Sequence, residues 1–154
     1  MHGGAKLCWC ASVDTAPWIA TPERRAATEA KLQQLKLPTA WGSNIKYIVS
    51  RPGYLTCADW IRLAGPLGIW LLRQLLQPSA TRDAMCGMIS ALHLLRASSF
   101  TRADMPRLSQ TVWQAVVKLE CYLPVHLFTT TPHLVGEVLL GGIDKHGPLN
   151  EYWL

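Results

Sequence analysis

The chain has 154 residues, of which 49% are hydrophobic and 16% are charged, and its mean hydropathy is +0.12. This length suits a single domain, and the apolar content is enough for a sizeable core, which excludes wholesale disorder. Arg73, Arg96 and prolines such as Pro124 break the apolar runs before they reach the roughly 20 residues that a membrane-spanning helix needs. We therefore expect no membrane insertion.

The formal net charge of +5 permits a nucleic-acid partner, since Lys and Arg side chains that neutralise phosphates release counterions. The excess is N-terminal: residues 1–52 hold seven basic and three acidic side chains, against eight and seven in residues 53–154. The candidate nucleic-acid-binding residues are Arg24, Arg25, Lys31 and Lys36. Their spacing spreads them around a helix, so a solvated helix face is the alternative interpretation.

The cysteines are five in number and scattered, which does not suggest a disulfide framework. A reducing compartment fits this usage. Residues 1–18 lack a continuous apolar core behind a basic start, so we predict no signal peptide and an intracellular protein.

The N-terminal part of the chain contains one plain helix start. Residues 1–20 mix Gly, Cys, Trp and Pro without a period, and we predict a poorly ordered lead-in there. Thr21-Pro22-Glu23 then supplies a Thr cap, a proline in the first helical position and an acid in the first turn. This helix should run to about Leu37 and end at Pro38. The apolar run at residues 45–49 fits either a short strand or a packed loop.

A second helix is predicted to open at Thr56, which forms a capping-box-like pair with Asp59. Gly65-Pro66 should kink or split this helix, because proline removes a donor and clashes with the preceding turn, and Pro78 should stop it. Its apolar positions at helical spacing are Trp60, Leu63, Ala64, Leu67, Leu71 and Leu75.

Two further amphipathic helices follow, the third capped by Ser79 and the fourth by Thr101 with Asp104. The apolar stripe of the third is Met85, Met88, Ile89, Leu92 and Leu95. The stripe of the fourth is Met105, Leu108, Val112, Ala115, Val116, Leu119 and Leu123. The predicted fold class is predominantly all-α: an irregular bundle of about four to five helices over residues 21–123, with a loop-rich N-terminus and C-terminus.

No local pattern in the sequence indicates catalysis, a metal or a cofactor. Cys8 and Cys10 form one Cys-x-Cys without a second pair, and His126 and His133 are separated by a proline, so neither predicts a metal site. There is no nucleophile elbow, and the glycines at 141, 142 and 147 are interpreted as turn residues. Three acids belong to helix first turns, which leaves no set for two-metal chemistry. We predict no catalytic residues, no metal ligands and no cofactor.

The last 37 residues, 118–154, carry an ordered series of motifs. An acid and an aromatic near a helix end lead to a proline turn, a His-Leu segment, a Gly-Pro and a Trp-Leu. The residues that fill these places are Glu120 with Tyr122, Pro124, His133-Leu134, Gly147-Pro148 and Trp153-Leu154. The segment resembles the domain of unknown function that follows the catalytic region in transposases of CACTA (En/Spm-type) DNA transposons. Weaker similarity extends upstream, and it rests on Leu37-Pro38, Trp41-Gly42, Leu55-Thr56 and Trp60.

The resemblance implies ancestry in a transposase that uses an Asp-Asp-Glu set and two divalent metals on a ribonuclease-H-like sheet. This chain supplies neither that sheet nor a complete acidic set, and it stops before the family's Phe-x-Phe-Glu-Arg-like motif. We therefore expect a truncated, non-catalytic, transposon-derived fragment in the nucleus, in which residues 124–154 begin the transposase-associated domain. The alternative is a retained helical module that binds DNA or a full-length transposase through the basic first helix.

Self-association is a further expectation. A domain cut at this point should leave an apolar C-terminal face uncovered, and such a face promotes association. Its predicted members are Leu139, Leu140, Leu149, Tyr152, Trp153 and Leu154.

Overall fold

The structure, a computed structural model, describes residues 19–39, 44–97, 99–124, 137 and 139–147. These residues form six α-helices and no strand. The helices are α1 (Pro22–Gln34), α2 (Cys57–Leu63), α3 (Pro66–Leu75), α4 (Ala80–Leu95), α5 (Met105–Tyr122) and α6 (Leu140–His146). The prediction of a predominantly all-α fold is confirmed, with a helix number slightly above the predicted one.

Helix α1 begins where the sequence predicts and ends earlier. The Thr21 hydroxyl accepts a hydrogen bond from the Arg24 backbone N–H at 3.4 Å, and a proline follows in the first helical position. The helix ends at Gln34, because Leu35 already has an extended backbone. Pro38 reinforces this end, since the residue before a proline avoids the helical conformation.

The segment after α1 is helical in short pieces. Single 3-10 turns cover Asn44–Tyr47 and Pro52–Tyr54. Ile45 is fully buried in the first of these turns, and Ile48 and Val49 follow it into the interior. Residues 45–49 therefore form a packed turn, and the alternative of a short strand is wrong.

The predicted second helix is split into α2 and α3 at Gly65-Pro66. A capping box opens α2: the Thr56 hydroxyl accepts from the Asp59 N–H at 3.3 Å, and the Asp59 carboxylate accepts from the Thr56 N–H at 2.9 Å. Gly68 lies against the end of α2, where a Cβ would stand 1.9 Å from the Leu63 carbonyl oxygen. The sharp α2–α3 corner therefore requires a residue without a side chain at this position.

Helix α4 starts as predicted, with the Ser79 hydroxyl accepting from the Arg82 N–H at 3.1 Å. Helix α5 starts later than predicted, at Met105 with Asp104 as its N-cap. A start at Thr101 would have left the Arg102 carbonyl without its helical donor, because Pro106 has no N–H. With Asp104 as the cap, Pro106 falls in the first turn, where no backbone donor is needed.

Two clusters of buried apolar residues divide the helices. The N-terminal cluster, built on α1, α2, α3 and the turn that follows the first 3-10 helix, contains Leu32, Ile48, Val49, Leu63 and Leu71. The C-terminal cluster, built on α4, α5 and α6, contains Ala84, Met88, Ala91, Leu95, Leu108, Val112, Ala115, Val116, Leu119, Leu140 and Ile143. Helix α3 packs on α4 and joins the two. One predicted stripe position is wrong, since Trp60 is 54% exposed.

Helix α6 lies in the predicted loop-rich C-terminus. Gly141 and Gly142 are inside it, so their interpretation as turn residues is wrong. Leu140 is buried in the C-terminal cluster and Leu139 packs against it, which removes both from the predicted self-association face. The other four members of that face lie outside the described residues.

Within the described part of the chain, no helix is long and apolar enough to cross a membrane.

Candidate functional site

Arg24, a predicted nucleic-acid contact, ties α1 to the end of α3. Its guanidinium donates to the carbonyl oxygens of Gln74 at 3.2 Å and Leu76 at 2.9 Å, and to the Gln77 side-chain oxygen at 2.8 Å. The last carbonyls of a helix lack donors within the helix and carry partial negative charge. Arg24 thus acts as a C-terminal cap supplied by another helix, some 50 residues away in the sequence.

The other predicted cations are more exposed, and two of them also have partners. Arg25 donates to the Val49 carbonyl oxygen at 3.1 Å, and Lys31 donates to the Gln74 side-chain oxygen at 2.7 Å. Lys36 is exposed and lies beyond the end of α1, so the four cations do not share one helix. The structure brings Arg24 and Lys31 together at the α3 end and places Arg25 on the 3-10 turn side.

Three of the six family-signature positions lie in the described residues. Glu120 is on the exposed side of α5, and Pro124 follows the residue that caps this helix. Gly147 caps α6 with φ 89° and ψ −165°, a conformation that is essentially restricted to glycine. His133, Pro148 and Trp153 lie outside the described residues.

A groove runs between α3 and α4 on the outer surface of the protein. Its cavity volume is about 710 Å³, and its apolar lining consists of Pro66, Ile69, Trp70 and Leu94. Ile69 and Trp70 are half-buried, whereas Leu94 is 46% exposed. Exposed apolar surface that lines a concavity is typical of a binding site.

The polar lining of this groove includes a cation and no carboxylate: it consists of Arg73, Gln74, Ser90 and His93. Lys31 donates to the side-chain oxygen of the lining residue Gln74 and so brings a second cation next to the groove. Arg96 caps α4 two residues after Leu94 and donates to the Ile61 carbonyl oxygen at 2.7 Å. The groove therefore combines an apolar lining with the Arg73 cation and has the Lys31 cation beside it.

The residues of this groove carry a signal in the sequence that the predicted helices did not use. Ile69, Trp70 and Leu94 are apolar residues that fall outside the predicted core stripes of their helices. Several apolar residues off the core stripe that come together on the surface form a patch of the kind that marks binding sites. Which helices meet there is decided by tertiary packing.

The titratable groups with shifted pKa values have structural explanations. Hydrogen bonds from the Thr56 N–H and hydroxyl, together with Arg62 at 3.0 Å, lower the pKa of the Asp59 carboxyl. Burial raises the pKa of the Cys86 thiol, which keeps the thiol protonated and a poor nucleophile. In the described ranges, no group of three or more His, Cys, Asp or Glu side chains could hold a metal ion.

Comparison of the chain with protein-family models, curated proteins and solved structures finds no match. The resemblance to CACTA transposases rests on the sequence motifs alone.

Proposed function

We propose that the chain is a non-catalytic helical binding module of CACTA-transposase ancestry, and that it works by binding a protein partner. The observation that carries the proposal is the groove between α3 and α4, where Leu94 is exposed and Ile69 and Trp70 are half-buried, Trp70 being packed in part against the N-terminal cluster. Covering apolar surface of this kind with another protein is favourable because it removes the surface from water. A phosphate backbone is bound through charged and polar groups and would cover this surface poorly. The resemblance points to a transposase chain as the partner, and to the nucleus as the place where they meet.

The proposal is tested by titrating purified chain into a full-length CACTA-type transposase in a calorimeter. We expect binding that Leu94→Ser weakens, because this substitution removes apolar surface from the groove while leaving a solvent-exposed position. Val117→Ser is the matched control, since Val117 is equally exposed but lies on the outer face of α5. Absence of binding, or equal loss with both variants, would contradict the proposal.

The second candidate function is DNA binding through the four predicted cations, of which Arg24 is engaged at the end of α3 and Arg25, Lys31 and Lys36 are exposed. Their exposure favours it, whereas the partners of Arg25 and Lys31 within the chain oppose it. The test is the affinity for a DNA duplex as salt is raised, because each neutralised phosphate steepens the loss of affinity. Charge reversal of these three should abolish binding, while Lys118→Glu with Arg102→Glu, two exposed positions on and just before α5, should leave it unchanged. If the affinity for DNA changes neither with salt nor in the triple variant, this candidate function is wrong.

The ancestry has a test of its own. We expect the genomic DNA and the transcript to carry a stretch that encodes a Phe-x-Phe-Glu-Arg-like motif just after Leu154. Unrelated flanking sequence in both would contradict descent from this family of transposases.

A further inference from the structure

We infer that the groove between α3 and α4 takes an acidic amphipathic helix of a partner protein. The inference rests on the proposed function in one respect, that the groove binds protein. It adds the secondary structure and the charge of the segment that binds.

The groove has the shape of a site for one helix. A Cβ on Gly65 would lie 3.5 Å from His93 Nδ1, and one on Gly68 would lie 3.2 Å from Ile89 Cδ1, so α3 and α4 run antiparallel. The lining extends along α3 from Pro66 to Gln74, which at 1.5 Å per residue is about 12 Å, or roughly two helical turns. A third helix laid along this line would complete a three-helix arrangement.

The backbone of the groove favours a helix over an extended segment. Backbone groups of α3 bond within the helix, as shown by Ile69 N–H to the Gly65 carbonyl at 3.2 Å and Leu76 N–H to the Leu72 carbonyl at 2.9 Å. Two such helices offer no row of donors and acceptors to which an incoming strand could pair. A helix brings its own satisfied backbone and needs only an apolar stripe to bury.

The charge of the groove selects the partner. Arg73 lines it, Lys31 bonds to its lining residue Gln74, and the neighbouring Arg62 is already paired with Asp59 at 3.0 Å. A segment with carboxylates beside its apolar stripe would meet these cations, while a basic segment would be repelled. A second copy of this chain fits poorly, because the exposed face of α5 carries Gln110, Gln114 and Lys118 around Trp113 and Val117.

The test uses two synthetic, dye-labelled helical peptides of about 15 residues, long enough to form a helix on binding. Both carry Leu at positions i, i+3, i+4 and i+7, with Glu at the polar positions of one and Lys at those of the other. Fluorescence anisotropy measures their affinities for the full chain. We expect the Glu peptide to bind at least tenfold more tightly than the Lys peptide, about 1.4 kcal/mol. We also expect Leu94→Ser to lower the affinity for the Glu peptide by a similar factor. Arg73→Glu should reduce the ratio between the affinities for the Glu peptide and the Lys peptide.

The controls separate this inference from its alternatives. Val117→Ser should leave both affinities unchanged, and thermal unfolding should show that Leu94→Ser and Arg73→Glu still fold. Equal affinity for both peptides, or insensitivity to Leu94→Ser, overturns the inference. So does displacement of the Glu peptide by a DNA duplex, or a dimer of the chain that Leu94→Ser dissociates. If a transposase binds in the Leu94-dependent way described above and neither peptide does, the proposed function stands and the inference alone fails.

Discussion

The N-terminal and C-terminal clusters are held together by different interactions. In the C-terminal cluster, α4, α5 and α6 bury a continuous apolar stripe, and Ala84, Ala91 and Ala115 let the helices approach closely. The N-terminal cluster buries fewer apolar residues and adds side chains that bond to distant backbone carbonyls, as Arg24, Arg25 and Lys46 do. The C-terminal cluster depends mainly on apolar periodicity and has one long-range bond of this kind among the hydrogen bonds of the described residues, from the Thr81 hydroxyl to the Tyr122 carbonyl oxygen at 3.2 Å. The N-terminal cluster depends on several such polar contacts.

The substitution expected to destabilise the C-terminal cluster most is Val112→Asp. Val112 is 0% exposed, so the substitution buries a carboxylate without a partner, and we expect the free energy of unfolding to fall by about 4 kcal/mol or more. Val117→Asp on the same helix, at a position that is 52% exposed, should change it by no more than about 0.5 kcal/mol. Urea denaturation measures both. Similar losses for the two variants would show that α5 does not bury the face described.

The α2–α3 corner, which belongs to the N-terminal cluster, should be destabilised by Gly68→Ala. The added Cβ would meet the Leu63 carbonyl at 1.9 Å, and we expect a loss of about 2–4 kcal/mol as the α2–α3 corner opens. Gly87→Ala is the matched control inside α4, where nothing lies within 4 Å of the new Cβ. It should stabilise the protein by about 0.5–1 kcal/mol, because alanine is the better helix former. Thermal unfolding of the two variants should therefore shift in opposite directions.

The hydrogen bonds from side chains to distant carbonyls in the N-terminal cluster are tested by Arg24→Ala. The variant leaves the carbonyls at the end of α3 without this donor, and we expect a loss of about 1–2 kcal/mol. Arg24→Lys should restore little, since an ammonium lacks the fork that reaches two carbonyls and an amide at once. Lys36→Ala serves as the control and should have no measurable effect in the same denaturation experiment. Full recovery with lysine would show that charge alone matters.

The smallest expected effect concerns pH and the capping box of α2. The folded-state pKa of Asp59 is lowered, so its stabilising contribution is present above its ordinary pKa of 3.8 and is lost as pH falls through the folded value. At pH 7, Asp59→Asn should therefore cost up to about 1 kcal/mol, and the difference from the unsubstituted chain should shrink below pH 3.8. Unfolding free energies measured across the acidic range test this. If the difference in unfolding free energy stays constant with pH, Asp59 stabilises α2 through hydrogen bonds that do not depend on its charge.

Much of the fold followed from local chemistry. The Thr21, Thr56 and Ser79 caps act within three residues, so the sequence alone predicted them correctly. The stripe of α5 was also correct, because helical periodicity sets which side chains share a face. The later start of α5 was missed, although the rule that decides it, the missing N–H of Pro106, is readable in the sequence.

The candidate site was not predictable in the same way. Arg24 was identified as a cation on a helix, but its acceptors lie about 50 residues away and become known only when α1 is placed against α3. Ile69 and Leu94 come from separate helices, and their shared groove exists only because α3 and α4 pack antiparallel. The need for glycine at position 68 was not predicted, because it arises from the close approach of Gly68 to the Leu63 carbonyl at the α2–α3 corner.

The sequence by itself determined the helical class, the starts of α1, α2 and α4 and the apolar face of α5, since these depend on contacts between residues a few positions apart. Tertiary structure alone decided which cations serve as caps, which apolar residues remain uncovered and where a partner could lie. These properties depend on how helices meet, and the free energy that places one helix against another is summed over many distant side chains.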